Sequence, residues 1–295
     1  MTSSDVRAIS VSGNEVGVAE YGDRSGRPVL YCHGIPGSHI EAVAFDQAAT
    51  TRGMRIIAVD RAGMGASAPV FPRRVLDWAD TVAALADSLG LDRFGIIGVS
   101  GGGPYALACA AALPERVTTA VLVSSPAPLD ELGSTGELDD AAKKRHRGLT
   151  MLRRFPILAR PAAAQMAAYA RKPGGVEGLI AQMSPLDRER VLSDPELTAK
   201  LEANLREAFR QGSRGFAIDL QILVARPWGF RLGDITVPIR IWHGDADQNV
   251  PLSDGRHLAA ALPTSHLEIV SGAGHLLFVD RAADILQSIR DDQTD

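Results

Sequence analysis

The stretch that decides the fold is Phe94-Gly95-Ile96-Ile97-Gly98-Val99-Ser100-Gly101-Gly102-Gly103-Pro104. Residues 94–99 form a nearly continuous apolar run, which is typical of a strand covered on both faces of a parallel sheet. Residues 104–113 are rich in alanine and predict a helix. Only a glycine-rich turn separates the two elements. We therefore predict that Ser100 lies on a sharp turn between a buried strand and a helix.

The same alternation of short strands and helices continues on both sides of this turn. Further strands are predicted over 16–21, 28–32, 55–59, 117–123, 237–242 and 266–270, and further helices over 75–89, 252–262 and 282–289. This order predicts an α/β fold with a mostly parallel central sheet and helices on both faces. Residues 130–232 lack the strand pattern and predict several helices. The chain is thus predicted to be a core of residues 1–129 and 233–295, interrupted by a helical insertion over 130–232.

Composition excludes several classes of protein. The 295 residues are 45% hydrophobic and 22% charged, with a formal net charge of −4, which is ordinary for a globular protein. Neither the charge nor the 5% aromatic content indicates a nucleic-acid partner. No apolar run reaches the roughly 18 residues of a membrane span. The polar N-terminus and the two cysteines in apolar stretches predict a cytoplasmic protein, and no Cys/His spacing indicates a metal or a cofactor.

The turn itself carries a chemical signal. Gly98-Val99-Ser100-Gly101-Gly102 matches the pattern G-x-S-x-G directly after a predicted strand, which is the setting of a nucleophilic serine. The alternative interpretation is a glycine-rich loop whose serine caps the following helix. A nucleophilic serine needs a base and an acid that orients the base. His275 follows the last predicted strand in a glycine-rich loop, and Asp245 and Asp247 follow the strand before it. Spacing alone does not choose between the two aspartates.

A fourth element is the loop His33-Gly34-Ile35-Pro36-Gly37-Ser38, which follows another predicted strand. An acyl-transfer enzyme stabilises an oxyanion with backbone N–H groups that are already in place. Ile35 in this loop and Gly101 after the serine are the candidates for those two donors. The substrate is predicted to be a small molecule.

With these residues in view, the chain resembles the α/β-hydrolase fold superfamily, in its branch with a serine nucleophile and a helical cap. The matching stretches are His33–Gly37, Asp60–Ser67, Gly98–Gly102, Gly244–Asp247 with Val250-Pro251, and Gly274-His275. The family pattern selects Asp247 over Asp245 as the acid. The resemblance also implies that residues 130–232 are the cap over the serine. The implied catalytic set is Ser100, Asp247 and His275, with Ile35 and Gly101 as the oxyanion hole.

A serine nucleophile favours an acyl-enzyme, so the leading hypothesis is hydrolysis of the carboxylic ester of a small, mostly apolar substrate. The insertion carries apolar residues such as Leu149, Leu220, Leu223 and Trp228, which must pack against the core or a substrate. They predict a mostly apolar pocket between insertion and core, with Ser100 at its floor. Proline iminopeptidases resemble the same core but use cap carboxylates to hold an amine. Glu202 and Asp219 do not indicate such a site by themselves, because any set of helices contains some acidic residues. Carbon–carbon bond hydrolases and cofactor-free haloperoxidases (perhydrolases) are further alternatives. A ligand-binding receptor on the same fold is the non-enzymatic one.

Overall fold

The computed structural model describes residues 6–71, 74–132, 140–172, 174–181 and 183–291. Eight strands form one sheet: β1 (Arg7–Val11), β2 (Asn14–Gly22), β3 (Arg27–Cys32), β4 (Met54–Val59), β5 (Phe94–Val99), β6 (Val117–Val123), β7 (Ile239–Gly244) and β8 (Ser265–Val270). Their order across the sheet is β1-β2-β4-β3-β5-β6-β7-β8. β2 is antiparallel to both β1 and β4, and the other neighbouring pairs are parallel. The predicted α/β class with a mostly parallel sheet is confirmed.

The helices described are α1 (Asp46–Thr51), α2 (Trp78–Ser88), α3 (Gly103–Ala112), α4 (Leu129–Leu132), α5 (Asp140–Arg154), α6 (Ala159–Ala170), α7 (Val176–Ile180), α8 (Pro185–Leu192), α9 (Pro195–Ala208), α10 (Arg214–Ala225), α11 (Leu252–Ala261) and α12 (Leu277–Asp291). Short 3₁₀ segments cover His39–Phe45, Ser100–Gly102, Pro156–Leu158 and Leu232–Asp234. In the described part of the chain, no helix is both long and apolar enough to cross a bilayer.

Strand β1 was not predicted from the sequence. Arg7, Ala8 and Ser10 are exposed and only Val11 is buried, so the strand lacks the continuous apolar run on which the other strand predictions depended. It pairs with β2 through a two-residue turn in which Ser12 has φ +49° and Gly13 has φ +81°. Such a turn joins hairpin strands whose twist it matches. The Ser12-Gly13 pair, which lies between two segments of alternating polarity, is the sequence signal that would have predicted this hairpin.

The core lies on both faces of the sheet. Alternate residues of the central strands, such as Leu30, Ile57 and Ile96, pack against α2, α3 and α11. Their neighbours along the strands, such as Val29 and Ile97, pack against α1 and α12. Because both faces are covered, β5 is buried along its whole length, which explains its continuous apolar sequence. The carboxyl ends of the strands are therefore the edge at which polar side chains converge.

Helices α4–α10 all lie between β6 and β7. The described residues of this segment include no strand. An apolar cluster of their own, built from α6, α9 and α10 around Phe209 and Phe216, holds several of these helices together. The chain therefore leaves the sheet after β6 and returns to it at β7 with a helical layer in between.

Candidate active site

Ser100 lies at the turn between β5 and α3, as the sequence predicts. Its φ is +50°, a value that residues other than glycine rarely adopt. The turn depends on close packing: a Cβ on Gly98 would lie 2.5 Å from the Gly102 carbonyl oxygen, and one on Gly102 would lie 2.0 Å from the Cys32 carbonyl oxygen. Side chains at either position would separate the turn from its neighbours. The backbone geometry presents the serine side chain at the edge of the sheet.

His275 and Asp247 converge on this serine from the loops after β8 and β7. The Nε2 atom of His275 lies 3.1 Å from the Ser100 Oγ, and its Nδ1 atom lies 2.8 Å from the Asp247 Oδ2. Because a carboxylate only accepts hydrogen bonds, Nδ1 carries the proton and Nε2 is free to accept one from the serine. The other Asp247 oxygen accepts the N–H groups of Asn249 and Val250, both at 2.9 Å. Hydrogen bonds thus connect the acid, the imidazole and the serine in sequence.

The charges of Asp247 and of protonated His275 stabilise each other. Burial opposes the charged form of His275, but the nearby Asp247 carboxylate outweighs it, and the pKa of His275 is raised above its ordinary value. Burial by itself would raise the pKa of Asp247, yet attraction to His275 and the accepted hydrogen bonds lower it. Asp247 therefore remains a carboxylate and stabilises an imidazolium when His275 accepts a proton.

The two predicted oxyanion donors lie side by side. The pairing of β3 with β5 places the loop that contains Ile35 beside the Ser100 turn. A Cβ built on Gly101 would lie 2.4 Å from the Ile35 Cγ2 and 3.5 Å from the Ile35 nitrogen. Glycine at position 101 thus allows the two backbones to approach. The Ile35-Pro36 peptide bond is cis.

Three other titratable residues near the strand ends, Asp245, His33 and His243, lie outside this series of hydrogen bonds. Asp245 is exposed and accepts the Gly272 N–H at 2.7 Å, which is a role in a turn. His33 and His243 are fully buried and bond to backbone groups, and burial lowers the pKa of each. Both histidines are neutral parts of the scaffold at the ends of their strands.

Asp187 of α8 is a site residue that sequence reasoning missed. It is buried, and its carboxylate accepts the N–H groups of His275 at 3.2 Å and of Leu276 at 3.1 Å. The Ser184 hydroxyl donates to the same carboxylate at 2.7 Å. These bonds satisfy N–H groups that precede α12, which begins at Leu277 rather than at the predicted residue 282. A side chain of the insertion thus fixes the backbone of the histidine loop.

A second link between the insertion and the core is a buried ion pair. Arg61, in the loop after β4, donates to the Asp219 carboxylate of α10 from Nε at 3.0 Å and from Nη2 at 2.9 Å. The same guanidinium donates to the carbonyl oxygens of His33 and Gly34, and the Tyr105 hydroxyl donates to Asp219. Arg61 thereby holds the backbone that leads into Ile35. No local signal in the sequence marks Arg61 and Asp219 as partners.

Among the described residues, one group has the composition of a metal site. His39, Asp60 and Glu207 place a possible ligand atom each within 4.8 Å of one another. The Asp60 oxygens already accept the N–H groups of His39 and Ala66 and contact the His39 Nδ1 at 2.9 Å. These bonds occupy the carboxylate, so we interpret the group as a hydrogen-bonded support of the loops.

Two cavities meet at Ser100 and His275. The larger has a volume of about 420 Å³, and its walls are mostly apolar side chains of the insertion and the neighbouring loops: Pro126, Ala127, Leu129, Leu149, Leu220, Leu223, Val224 and Trp228. The smaller, of about 300 Å³, also has apolar walls but includes Glu41, Asp187 and Asn204. The described lining residues of both include no lysine or arginine. Both cavities thus have mostly apolar walls, as predicted, and the smaller one also contains two carboxylates and an amide, which were not predicted.

Glu41 borders the smaller cavity from the 3₁₀ segment after β3. Its Oε1 atom accepts the Gly34 N–H at 2.8 Å and the Tyr31 hydroxyl at 2.9 Å. Burial raises the pKa of Glu41, against the opposing effect of these two donors. The sequence motif around His33 predicts backbone donors in this loop and gives no signal for the carboxylate that follows it.

The fold and this arrangement of side chains define a hydrolytic enzyme of the α/β class. A family model described as the alpha/beta hydrolase fold matches residues 27–282, and the chain belongs to that family. It is similar to a 2-hydroxy-6-oxononadienedioate/2-hydroxy-6-oxononatrienedioate hydrolase of Cupriavidus pinatubonensis, with 29% identity over 232 residues, 76% of this chain and 70% of the relative.

Two further similarities broaden the comparison. A poly(3-hydroxyalkanoate) depolymerase of Ectopseudomonas oleovorans is 27% identical over 258 residues, 86% of this chain and 80% of the relative. The solved structure of a bromoperoxidase from Bacillus anthracis superposes with a TM-score of 0.73 at 21% identity, covering 99% of this chain and 100% of that one. The relatives thus share the fold and differ in the substrates that their names give.

Proposed function

We propose that the protein is a carboxylic ester hydrolase that acts through an acyl-enzyme on Ser100. The observation that carries the proposal is the hydrogen-bonded chain from Asp247 through His275 to Ser100, with contacts of 2.8 and 3.1 Å. This arrangement activates a hydroxyl that is otherwise a weak nucleophile. Its position between two cavities leaves room for the two halves of an ester.

In the proposed mechanism His275 accepts the Ser100 proton while the serine oxygen attacks the ester carbonyl. The N–H groups of Ile35 and Gly101 stabilise the oxyanion that develops. His275 then donates its proton to the leaving alcohol, and the acyl-enzyme forms. Water, activated by the same imidazole, releases the acid and restores Ser100. Asp247 keeps the proton on Nδ1 throughout and stabilises the imidazolium.

A mostly apolar substrate is supported by the larger cavity. Its aliphatic walls and Trp228 favour an acyl or alkyl group, since burying apolar surface is the main source of affinity there. The insertion of residues 130–232 supplies several of these walls through Leu149, Leu220 and Leu223. We propose that the insertion acts as the cap of the enzyme.

Carbon–carbon bond hydrolysis is the second candidate, because relatives at 29% identity are named as hydrolases of 2-hydroxy-6-oxononadienedioate, a compound without an ester bond. The named substrates of those relatives are dicarboxylates. The described lining residues of this site include no lysine or arginine to bind a carboxylate, and Glu41 and Asp187 lie in the smaller cavity. Like charges at close range are unfavourable, so an uncharged ester fits better.

An amine-binding site of the iminopeptidase kind has less support. Asp219 is engaged by Arg61 and Tyr105, and Glu202 pairs with Arg206 on the outside of α9.

We also propose a cytoplasmic location, supported by Cys32 and Cys109, which are both buried free thiols.

The test is hydrolysis of a panel of neutral p-nitrophenyl esters beside proline arylamides and a dicarboxylate ring-cleavage product. The native enzyme should hydrolyse apolar esters and be labelled at Ser100 by a fluorophosphonate. Ser100→Ala should lose at least about 10⁴-fold in kcat and all labelling, with an unchanged Tm. Faster turnover of the dicarboxylate than of every ester would replace the proposal with the second candidate.

A further inference from the structure

We propose that the smaller cavity is a polar subsite for a hydroxyl group carried by one half of the substrate ester. Glu41 would accept a hydrogen bond from that hydroxyl, and Asn204 would donate one to it. The inference rests on the proposed ester hydrolysis and narrows its substrate class.

The orientation of Asn204 is fixed by Ser38. The Ser38 N–H lies 2.9 Å from the Asn204 Oδ1, and its hydroxyl lies 2.8 Å from the same atom. Because a backbone N–H only donates, the oxygen of the amide must face Ser38 and the Nδ2 group must point away from it. Asn204 is only 7% exposed and lines the cavity. No hydrogen bond of its Nδ2 is found in the described part of the chain, so this donor is available to a group in the cavity.

Glu41 presents the complementary group. Its Oε1 is occupied by Gly34 and Tyr31, whereas its Oε2 has no hydrogen-bond partner among the described residues. A Cβ built on Gly34 would lie 3.1 Å from that Oε2 and 3.5 Å from the Ser100 Cβ. The carboxylate oxygen and the nucleophile therefore border the same small space.

Ser38 also connects the two groups, because its carbonyl oxygen accepts the Glu41 N–H at 3.1 Å. One acceptor and one donor are thus held in place before any substrate arrives. A hydroxyl donates and accepts, so it can pair with both. An ammonium would leave Asn204 unpaired, and a carboxylate would be repelled by Glu41. Asp187 does not compete, since it already accepts from Ser184, His275 and Leu276.

The first experiment compares the hydrolysis of esters that differ by one hydroxyl, with the rates measured in a pH-stat. Methyl 3-hydroxybutyrate is compared with methyl butyrate for the acyl half, and 2-hydroxyethyl butyrate with propyl butyrate for the alcohol half. In at least one pair, kcat/KM should favour the hydroxylated ester by about tenfold or more. A ratio of one or less in both pairs overturns the inference while leaving ester hydrolysis intact.

Two substitutions change the chemistry and keep the shape. Glu41→Gln retains an oxygen for Gly34 and Tyr31 but replaces the free acceptor with a donor. Asn204→Asp retains the oxygen that holds Ser38 but replaces the free donor with an acceptor. Each should bring the ratio of the favoured pair close to one. The matched control is Glu202→Gln on α9, whose carboxylate pairs with the exposed Arg206, and it should keep the wild-type ratio.

The ratio separates recognition from general damage. A variant that merely disturbs the loop slows both esters of a pair equally, and an unchanged ratio in both variants would overturn the proposal. If no ester of either pair is turned over, ester hydrolysis itself fails. The subsite is then tested by the rates at which butyl and 3-hydroxybutyl p-nitrophenyl phosphonates label Ser100. Faster labelling by the hydroxylated reagent supports the subsite, and equal or slower labelling overturns it.

Discussion

Ser100 is held at φ +50° by the glycines that surround it, so its hydroxyl is already directed at His275 in the absence of substrate. A non-glycine residue in this region costs about 1–3 kcal/mol, which the packing of β5 and α3 around the turn offsets. The partner of His275 is a carboxylate with no exposed side-chain surface. At this scale the site depends on one backbone conformation and on one buried charge.

Asp247 and Asp245 provide a matched pair of substitutions. Asp247→Asn should lower kcat on the order of 10³–10⁴-fold, because the amide permits the wrong tautomer of His275. Asp245→Asn removes only a turn contact to Gly272 and should change kcat less than about threefold. A larger loss for Asp245→Asn than for Asp247→Asn would contradict the assignment of the acid.

The pH dependence of the native enzyme follows from the same pair. His275 must be neutral to accept the serine proton, and its pKa is raised above 6.5 by Asp247 against the effect of burial. Activity should therefore fall as pH decreases through a value above 6.5. In Asp247→Asn, the acidic limb of the pH profile, where the residual activity falls, should lie at a lower pH. Profiles of kcat/KM between pH 5 and 9 measure both, and a native limb below 6.5 would argue against His275 as the base.

At the scale of elements, the insertion helices fix the loops that carry the chemistry. α8 holds the His275 loop through Asp187, α9 holds the loop after β3 through Asn204, and α10 holds it again through Asp219 and Arg61. These contacts are buried or partly buried hydrogen bonds, whose groups are costly to leave unpaired. The helical layer therefore contributes to the order of the site as well as covering it.

Asp187→Ala should lower kcat by about tenfold or more, because the backbone of the His275 loop loses its two acceptors. The substitution also removes a negative charge near His275, where Asp247, Asp187 and Glu41 together raise its pKa against burial. The acidic limb of the pH profile should consequently move to lower pH, which a purely structural defect would not cause. Asp187→Asn should recover part of kcat, and Glu189→Ala, exposed on the same helix, should behave as the native enzyme.

Asp219→Ala leaves the buried guanidinium of Arg61 without its carboxylate. Loss of one partner of a buried ion pair typically destabilises a protein by about 3–5 kcal/mol. Urea unfolding should show a loss of this size. Glu202→Ala, which removes an exposed pair four residues apart on α9, should cost less than about 1 kcal/mol. Equal midpoints for the two variants would show that the Arg61–Asp219 pair is not a principal link between insertion and core.

At the scale of the whole molecule, sheet and insertion enclose two spaces of different chemistry around one nucleophile. The larger space is bounded by α5 and α10, and the smaller one, which contains Glu41, Asp187 and Asn204, is bounded by α8 and α9. Ser100 and His275 border both. This division gives the enzyme a means of distinguishing the two halves of a substrate by polarity as well as by length.

Leu149→Trp should narrow the larger cavity and reduce kcat/KM for long acyl or alkyl chains by about tenfold or more, with little effect on acetates. Leu149 lines this cavity from α5, whereas Met151 on the same helix is 60% exposed. Met151→Trp is therefore the control and should leave the chain-length profile unchanged. The profile is measured over p-nitrophenyl esters from C2 to C10. A uniform loss across chain lengths would argue that the cavity does not hold the chain.

The sequence by itself determined the α/β class, the strand β5 and the position of Ser100 at a turn, because these depend on local periodicity and on glycine. It also indicated His275 and the two aspartates, since each follows a strand whose carboxyl end faces the same edge. Only the family pattern chose Asp247, and its burial beside His275 is a tertiary property. Local patterns report which element a residue belongs to and do not report its partners.

The tertiary structure alone decided which polar side chains of the insertion become part of the site. Asp187 meets Leu276 across 89 residues, Arg61 meets Asp219 across 158 and Ser38 meets Asn204 across 166. In sequence, Asp187 and Asn204 resemble the other polar side chains of α8 and α9, and Asp219 lies in a mostly apolar helix. Which of them is buried depends on how the insertion packs on the sheet, and that packing sums many weak contacts between distant segments. No local stretch of the chain contains this information.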